Sequence, residues 1–274
     1  MSDSGGVDIS QASSGQFSSS SDELLDRLET LKSWYDATSP KLDPALEIGA
    51  LQNDLIRVRS PVATPSQIFA VGLNYQAHGE EAGLKVPDEP MIFTKFPSSI
   101  TGPGDMIELP NGNVDWEVEM VAVIGKPGRN ISASDALSHI AGFCVGQDIS
   151  NRALQFKSTP AQFSFAKSHK GFSPIGPWLT TTDEMQFSNA RILCRNQGEV
   201  LQDGNTSRMI FSVPELIEYL SRVCELRTGD LIFTGTPDGV GIGRSPHKFI
   251  EPGWVLESTI EGLGTMRNAC VLQQ

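Results

Sequence analysis

DWEVEMVAVIG, residues 115–125, decides how the rest of the chain is read. Side chains alternate faces along a strand, so Glu117 and Glu119 point one way while Trp116, Val118 and Met120 point the other. Residues 121–124, Val-Ala-Val-Ile, are continuously apolar. That pattern belongs to a central strand buried on both faces. Runs of the same texture lie on either side: IFAVGL (68–73), MIFTKF (91–96), MIEL (106–109), HIAGFCVGQDI (139–149), ARILCRN (190–196), DLIFTG (230–235), VLESTIEG (255–262) and TMRNACVL (265–272). Gly and Pro divide them. Helical spacing is scarcer. It covers a short stretch at 132–137 and residues 214–223, where Leu216, Ile217, Leu220 and Val223 form one stripe. The pattern predicts a mostly β, α+β fold of roll or barrel type with few short helices.

Upstream the texture differs. Residues 1–20, MSDSGGVDISQASSGQFSSS, have the low-complexity composition of a disordered tail. In 21–66 an amphipathic helix carries Leu24, Leu25, Leu28, Leu31 and Trp34, with Asp22 as its expected cap. A second short helix is expected from Pro44 to about Leu51, then a short strand at 55–58. This region reads as a small helical N-terminal cap or arm, and 67–274 as the catalytic domain.

The chain has 21 basic and 33 acidic side chains, a formal charge of −12. So acidic a body repels nucleic acid and anionic membrane surfaces, and no basic tract offsets it. The four cysteines are widely spaced with no C-x-x-C, which predicts free thiols in a reducing compartment. There is no apolar run of membrane-spanning length and no signal-peptide pattern at the start, so the expectation is a cytoplasmic protein.

Glu117 and Glu119 would sit roughly 6–7 Å apart on one strand face, close enough to share a cation and mutually repulsive without one. Asp148, after the apolar run IAGFCVG, sets a third carboxylate at a strand end. Three oxygen ligands without Cys or His suit Mg²⁺, Mn²⁺ or Ca²⁺ better than zinc. A solvent-exposed acidic face and an ordinary turn aspartate are the alternatives that these segments leave open. His78 and Glu81 stand at i and i+3, where a carboxylate on one ring nitrogen leaves the other basic toward water. The glycines flanking this turn and the stretch to Pro90 read as a segment able to close as a lid.

The strings GLNYQAHGEEAG, DWEVEMVAVIGK, GQDISNRALQ, FAKSHKGFSPIGPW, DGNTSRMIFSVPELIEYLSR and LRTGDLIFTGTPDGVGIG, in this order, resemble the fumarylacetoacetate hydrolase family. The resemblance runs from Ile68 to the C-terminus. It implies a mixed β-roll assembled as a homodimer, with Mg²⁺ or Mn²⁺ on Glu117, Glu119 and Asp148 and with His78 and Glu81 as a water-activating dyad. It further implies that Lys167 takes part in catalysis and that Arg152, Gln155 and Thr236 contact substrate. The founding enzyme carries one more metal-binding Asp, where this sequence has Val71, and a large N-terminal domain without counterpart here. The smaller acylpyruvate hydrolase-like branch fits better.

The activity implied is metal-dependent hydrolysis of a C–C bond in a small 2-oxo or 1,3-dicarbonyl acid. Decarboxylation of an oxaloacetate-type acid, tautomerisation, isomerisation and hydration draw on the same enolate chemistry. A non-catalytic binding protein on this fold is the alternative from another class, and the intact carboxylates with His78 and Glu81 count against it.

Overall fold

The structure, a computed structural model, describes residues 5–47, 51, 53–54, 58–81, 83, 85 and 87–273. Fourteen strands are formed among them. They are β1 (Ile68–Gly72), β2 (Met91–Thr94), β3 (Ile100–Thr101), β4 (Ile107–Leu109), β5 (Val114–Asp115), β6 (Val118–Ile124) and β7 (Ile140–Gln147). Then follow β8 (Ser150–Asn151), β9 (Ser173–Thr180), β10 (Arg191–Asn196), β11 (Glu199–Asn205), β12 (Leu231–Phe233), β13 (Val255–Ile260) and β14 (Gly264–Leu272). One sheet of seven strands runs β2-β1-β12-β6-β7-β9-β3, a second of five runs β11-β10-β13-β14-β4, and β5 pairs with β8. Three pairings are parallel, β1 with β12, β3 with β9 and β4 with β14, and the others are antiparallel. The expected mixed, mostly β architecture is what forms.

The strand quoted first lies in the middle of the larger sheet. All seven residues of β6 are buried. Val118, Met120, Ala122 and Ile124 face a core shared with the second sheet, where Ile192, Leu256 and Met266 lie. The amphipathic helix Val213–Val223 closes the same core with Val213, Leu216, Ile217 and Leu220. Val121 and Val123 face the opposite way, into a second core with Ile68, Leu231 and Phe233. Burial on both faces is why the run carries no polar alternation.

The N-terminal region differs from expectation in detail. The predicted tail contains a short helix, Ile9–Ala12, and a fully buried Phe17. Phe17 packs on Trp34 at 5.6 Å between ring centroids and lies under the Arg27 guanidinium at 4.5 Å. One aromatic with a partner 17 residues away is enough to fix a segment that composition reads as unstructured. The amphipathic helix is divided at Arg27 into Ser21–Asp26 and Leu28–Thr38. Asp22 is no cap: its carboxylate accepts from the Ala63 amide and from the Thr64 hydroxyl, tying the helix to the loop before β1. A 3₁₀ turn, Pro44–Leu46, opens the stretch of the second expected helix, of which residues 48–50 lie outside the described residues, as do residues 55–57 of the expected strand. Among the described residues, no helix is long and apolar enough to cross a membrane. Cys144, Cys194 and Cys270 are buried free thiols, and burial pushes each up to about 12.

Candidate active site

Pairing of β6 with β7 assembles the three carboxylates. Val118 stands opposite Gln147 and Glu119 opposite Gly146. Asp148 follows directly, and its amide donates to the Glu117 carbonyl at 2.9 Å. One carboxylate oxygen from each of Glu117, Glu119 and Asp148 lies within 4.8 Å of the others, and all three residues are buried. Gly146 is what lets the strands meet here. A Cβ at that position would lie 2.5 Å from Val121 Cγ2 and 2.9 Å from Phe233 Cε1.

Three cations answer these acids. Lys167 Nζ donates to Glu117 Oε2 and to Asp148 Oδ2, both at 2.7 Å. Lys95, with its ammonium fully enclosed, donates to Asp148 Oδ1 at 2.5 Å and to the carbonyls of Lys167 and Phe172. Arg152 uses all three nitrogens: Nε to Asp115 Oδ2 at 2.9 Å, Nη1 to Gln155 Oε1 at 2.9 Å and Nη2 to Glu117 Oε1 at 2.5 Å. Counting Asp115, four carboxylates face three cations, which leaves one negative charge uncompensated. It falls on Glu119, which accepts a hydrogen bond from the Gly235 amide at 2.8 Å and has no ion-pair partner among the described residues.

The acidities follow this imbalance. Burial works against the charge on Glu117, yet Lys167 and Arg152 hold it well below the usual carboxylate range. Burial, with the charges of Asp148 and Glu117, drives Glu119 well above that range. Burial lowers Lys95, whereas for Lys167 the charges of Asp148 and Glu117 outweigh burial and raise it. A buried carboxylate with two like charges beside it and no counter-ion is the environment that a hard divalent cation neutralises. The donor set therefore fits one.

His78 and Glu81 lie on the helix Gln76–Glu81 that follows β1. His78 Nδ1 faces Glu81 Oε2 at 3.6 Å, too long for a hydrogen bond, and this buried nitrogen has no other partner. The Gly239 amide donates to both Glu81 oxygens at 3.1 and 3.2 Å. Gly239 has a φ of +98°, open to glycine at little strain, and a Cβ on nearby Gly243 would collide with Glu81. The same loop returns to Asp115, which accepts from the amides of Gly241 at 2.7 Å and Ile242 at 3.0 Å. Thr236 reaches the cavity, but its hydroxyl donates to the Val118 carbonyl at 2.9 Å and accepts from Gln202 Nε2 at 2.8 Å.

A cavity of about 130 Å³ opens over this cluster. It brings together His78, Glu117, Glu119, Arg152, Gln155, Lys167 and Thr236 from the expected set. Glu81 and Asp148 stand one residue back, the first behind His78 and the second behind Lys167. Sequence reasoning passed over Lys95 and Asp115. Both were on view, as a lysine closing an apolar strand run and an aspartate opening the acidic strand. Their partners, however, lie far away in the chain.

The fumarylacetoacetate (FAA) hydrolase C-terminal family profile matches residues 67–271. Human "Oxaloacetate tautomerase FAHD2A, mitochondrial" is 42% identical over 230 residues, covering 83% of this chain and 73% of that protein. A crystal structure from Mycobacterium smegmatis superposes with a TM-score of 0.90 at 45% identity, covering 99% of this chain and 95% of that one. The 5-carboxymethyl-2-hydroxymuconate delta-isomerase of Mycobacterium smegmatis gives 0.70 at 37% identity, covering 80% and 83%. With three quarters of its length matched by the profile and its carboxylate trio gathered where β6 pairs with β7, the chain belongs to the fumarylacetoacetate hydrolase family.

Proposed function

We propose that this chain is an enzyme that moves a proton between C3 and the 2-oxo oxygen of a small 2-oxo acid, interconverting its keto and enol forms. The observation that carries this reading is a titratable base, His78, opening onto the same small cavity as Glu117 and Glu119, with no Ser or Cys among its described lining residues. Thr236 has already committed its hydroxyl to the backbone and Gln202. Proton abstraction next to a carbonyl needs a base and charge stabilisation but no nucleophile. The names of the human tautomerase and the mycobacterial isomerase support the same class.

Glu81, fixed by the Gly239 amide, faces the His78 ring at 3.6 Å, and the ring takes the C3 proton as the C2–C3 double bond forms. The same nitrogen returns the proton to the 2-oxo oxygen, so nothing else is consumed. The Lys167 ammonium offsets negative charge developing on that oxygen, and Arg152, braced by Asp115 and Gln155, holds Glu117 in place at the cavity floor. A divalent cation, Mg²⁺ or Mn²⁺, on Glu117, Glu119 and Asp148 would supply Lewis acidity toward the 2-oxo group.

Hydrolytic cleavage of a C–C bond in an acylpyruvate is the second reading. The pairing of His78 with a carboxylate favours it, because that pair can also deprotonate water. Decarboxylation of a 2-oxo diacid would be a further outlet. We also propose a homodimer, to be checked by light scattering, and residence in the cytoplasm, to be checked by fractionation against its mitochondrially named relatives.

Nuclear magnetic resonance in D₂O with Mg²⁺ tests the main reading by following deuterium entry at C3 of a 2-oxo acid, beside pyruvate release from an acylpyruvate. Fast exchange lost in His78→Ala is expected. Cleavage without exchange would transfer the assignment to hydrolysis, and neither process in the metal-loaded protein would refute both.

A further inference from the structure

The cavity has two unlike ends. Its floor is the ionic cluster, whereas its outer wall is built from Leu73, Met91, Phe93, Phe156, Phe163 and Ile242. Phe93 on β2 and Phe163 on the short helix Phe163–Ala166 pack at 5.7 Å between centroids, and the Lys167 ammonium sits 5.3 Å from the Phe93 ring. A Ser164 hydroxyl hydrogen-bonded to the Thr94 amide at 3.2 Å joins the two elements. The aromatic pair therefore stands directly above the charged floor, on bonded backbone.

Among the described residues, no cation on this wall is free to meet an anion. Among the described lining residues the only cationic side chains are Arg152 and Lys167, and both are spent on the floor acids. Lys95 is sealed behind Asp148. Lys85 is 86% exposed and lies 3.6 Å from Asp88, away from the lining. A divalent cation would turn the net floor charge from −1 to +1, which one carboxylate with a 2-oxo oxygen satisfies. A second carboxylate placed at the wall would lose its water against phenyl rings and thioether with no partner in return.

We infer that this wall is a subsite for an uncharged apolar group at the far end of the substrate, so that the preferred substrates are 2-oxo monoacids with an alkyl or aryl tail and not 2-oxo diacids. The inference rests on the proposed function only for the placing of the acid end on the floor. A volume of about 130 Å³ is close to the ~150 Å³ that admits one benzene, which limits the tail to a few carbons or a single small ring.

The test is competition binding to the full chain loaded with Mn²⁺. The probes are oxalate, the straight-chain monoacids pyruvate, 2-oxobutyrate and 2-oxopentanoate, and the diacid 2-oxoglutarate, which matches 2-oxopentanoate in backbone length. Affinity is expected to rise about fourfold per methylene, the fold-change equivalent to ~0.8 kcal/mol. 2-Oxopentanoate should bind at least tenfold more tightly than 2-oxoglutarate. Phe163→Ala should flatten the length dependence, and Met91→Arg, which puts a cation on the wall, should narrow or reverse the preference. Oxalate reads the floor alone. Oxalate bound with no length dependence, or with the diacid equal or tighter, overturns the subsite and leaves the proposed function standing. Failure of oxalate to bind overturns the proposed function and this inference with it.

Discussion

Glu119→Gln separates a cation site from a structural acid cluster, because the two predict opposite signs for stability. In the metal-free protein, Glu119 is a buried carboxylate within 4.8 Å of two others. At an effective dielectric of ~20, each such like-charge contact costs about 3–4 kcal/mol before its counter-ions are counted. Lys167, at 2.7 Å from both neighbours, offsets most of that. A net gain of about 1–2 kcal/mol on removing the charge is the remainder. Glutamine keeps the acceptor for the Gly235 amide and gives Glu117 and Asp148 a donor in place of a repelling oxygen. With ~2.1 cal/mol/K of unfolding entropy per residue over the whole chain, 1 kcal/mol corresponds to about 2 °C in Tm. The variant should therefore melt about 2–3 °C higher than the parent in chelator. Metal reverses the order. At a hundredfold excess over Kd, binding adds ~2.7 kcal/mol, or about 5 °C, to the parent, and little to the variant. The pH dependence has a definite sign too. The folded pKa of Glu119 is raised above its ordinary value of 4.5, so above that pH the metal-free folded state meets the cost of this charge either as repulsion or by holding a proton that the unfolded chain has released. Its contribution is complete below pH 4.5 and is lost as pH rises toward the folded pKa. The Tm difference in favour of the variant should accordingly widen above pH 4.5. Differential scanning fluorimetry with chelator, Mg²⁺ and Mn²⁺ reads all of this. A variant that melts lower in chelator, or keeps a metal-induced rise of several degrees, refutes the reasoning.

His78→Ala should lower the rate of C3 deuterium exchange by about 10²–10⁴-fold while Tm stays within about 2 °C; a rate near the parent's would remove His78 from the chemistry. Lys95→Met leaves Asp148 Oδ1 and two carbonyls without their donor inside the core. Loss of one partner of a buried pair costs ~3–5 kcal/mol, about 5–9 °C on the same scale, and a drop under 1 °C would show that Lys95 supports nothing. Gly146→Ala forces a methyl against Val121 and Phe233, and overpacking of this kind costs ~1–3 kcal/mol in denaturant unfolding. Unchanged stability there would mean that β6 and β7 can part without loss.

The chain displayed its centre more plainly than its edges. β6 and β7 are buried on both faces, so their apolar runs needed no context. β9 is hard to see in the sequence because Pro174 and Pro177 argue against a strand; Pro177 sits where the register with β7 is irregular, and Pro174 stands opposite Thr101 of the two-residue β3. β11 is an edge strand with Glu199 and Val200 exposed, and it shows little apolar alternation. The site divides in the same way. Glu119 lies in β6 and Glu117 one residue before that strand, and His78 and Glu81 share a helical turn, so local periodicity finds each pair. Lys95 reaches an aspartate 53 positions on, and Asp115 receives an amide from 126 positions on. Pairings of that range are settled by sheet order, which periodicity does not encode.

Sheet order also explains why the acids and the core share one strand. Glu117, Glu119, Val121 and Val123 occupy the same alternating face, and the change from carboxylate to valine marks where the cavity ends and the second core begins. A slip of one residue in the β6–β7 register would carry both glutamates into the core between the sheets and turn Met120 and Ala122 toward the cations. Such a slip is opposed from both sides. Met120 and Val118 are packed against the second sheet, and Glu117 is pinned by Arg152 and Lys167. The ionic cluster and the apolar core therefore fix the same register, and the position of the carboxylate trio is set by the fold that it helps to align.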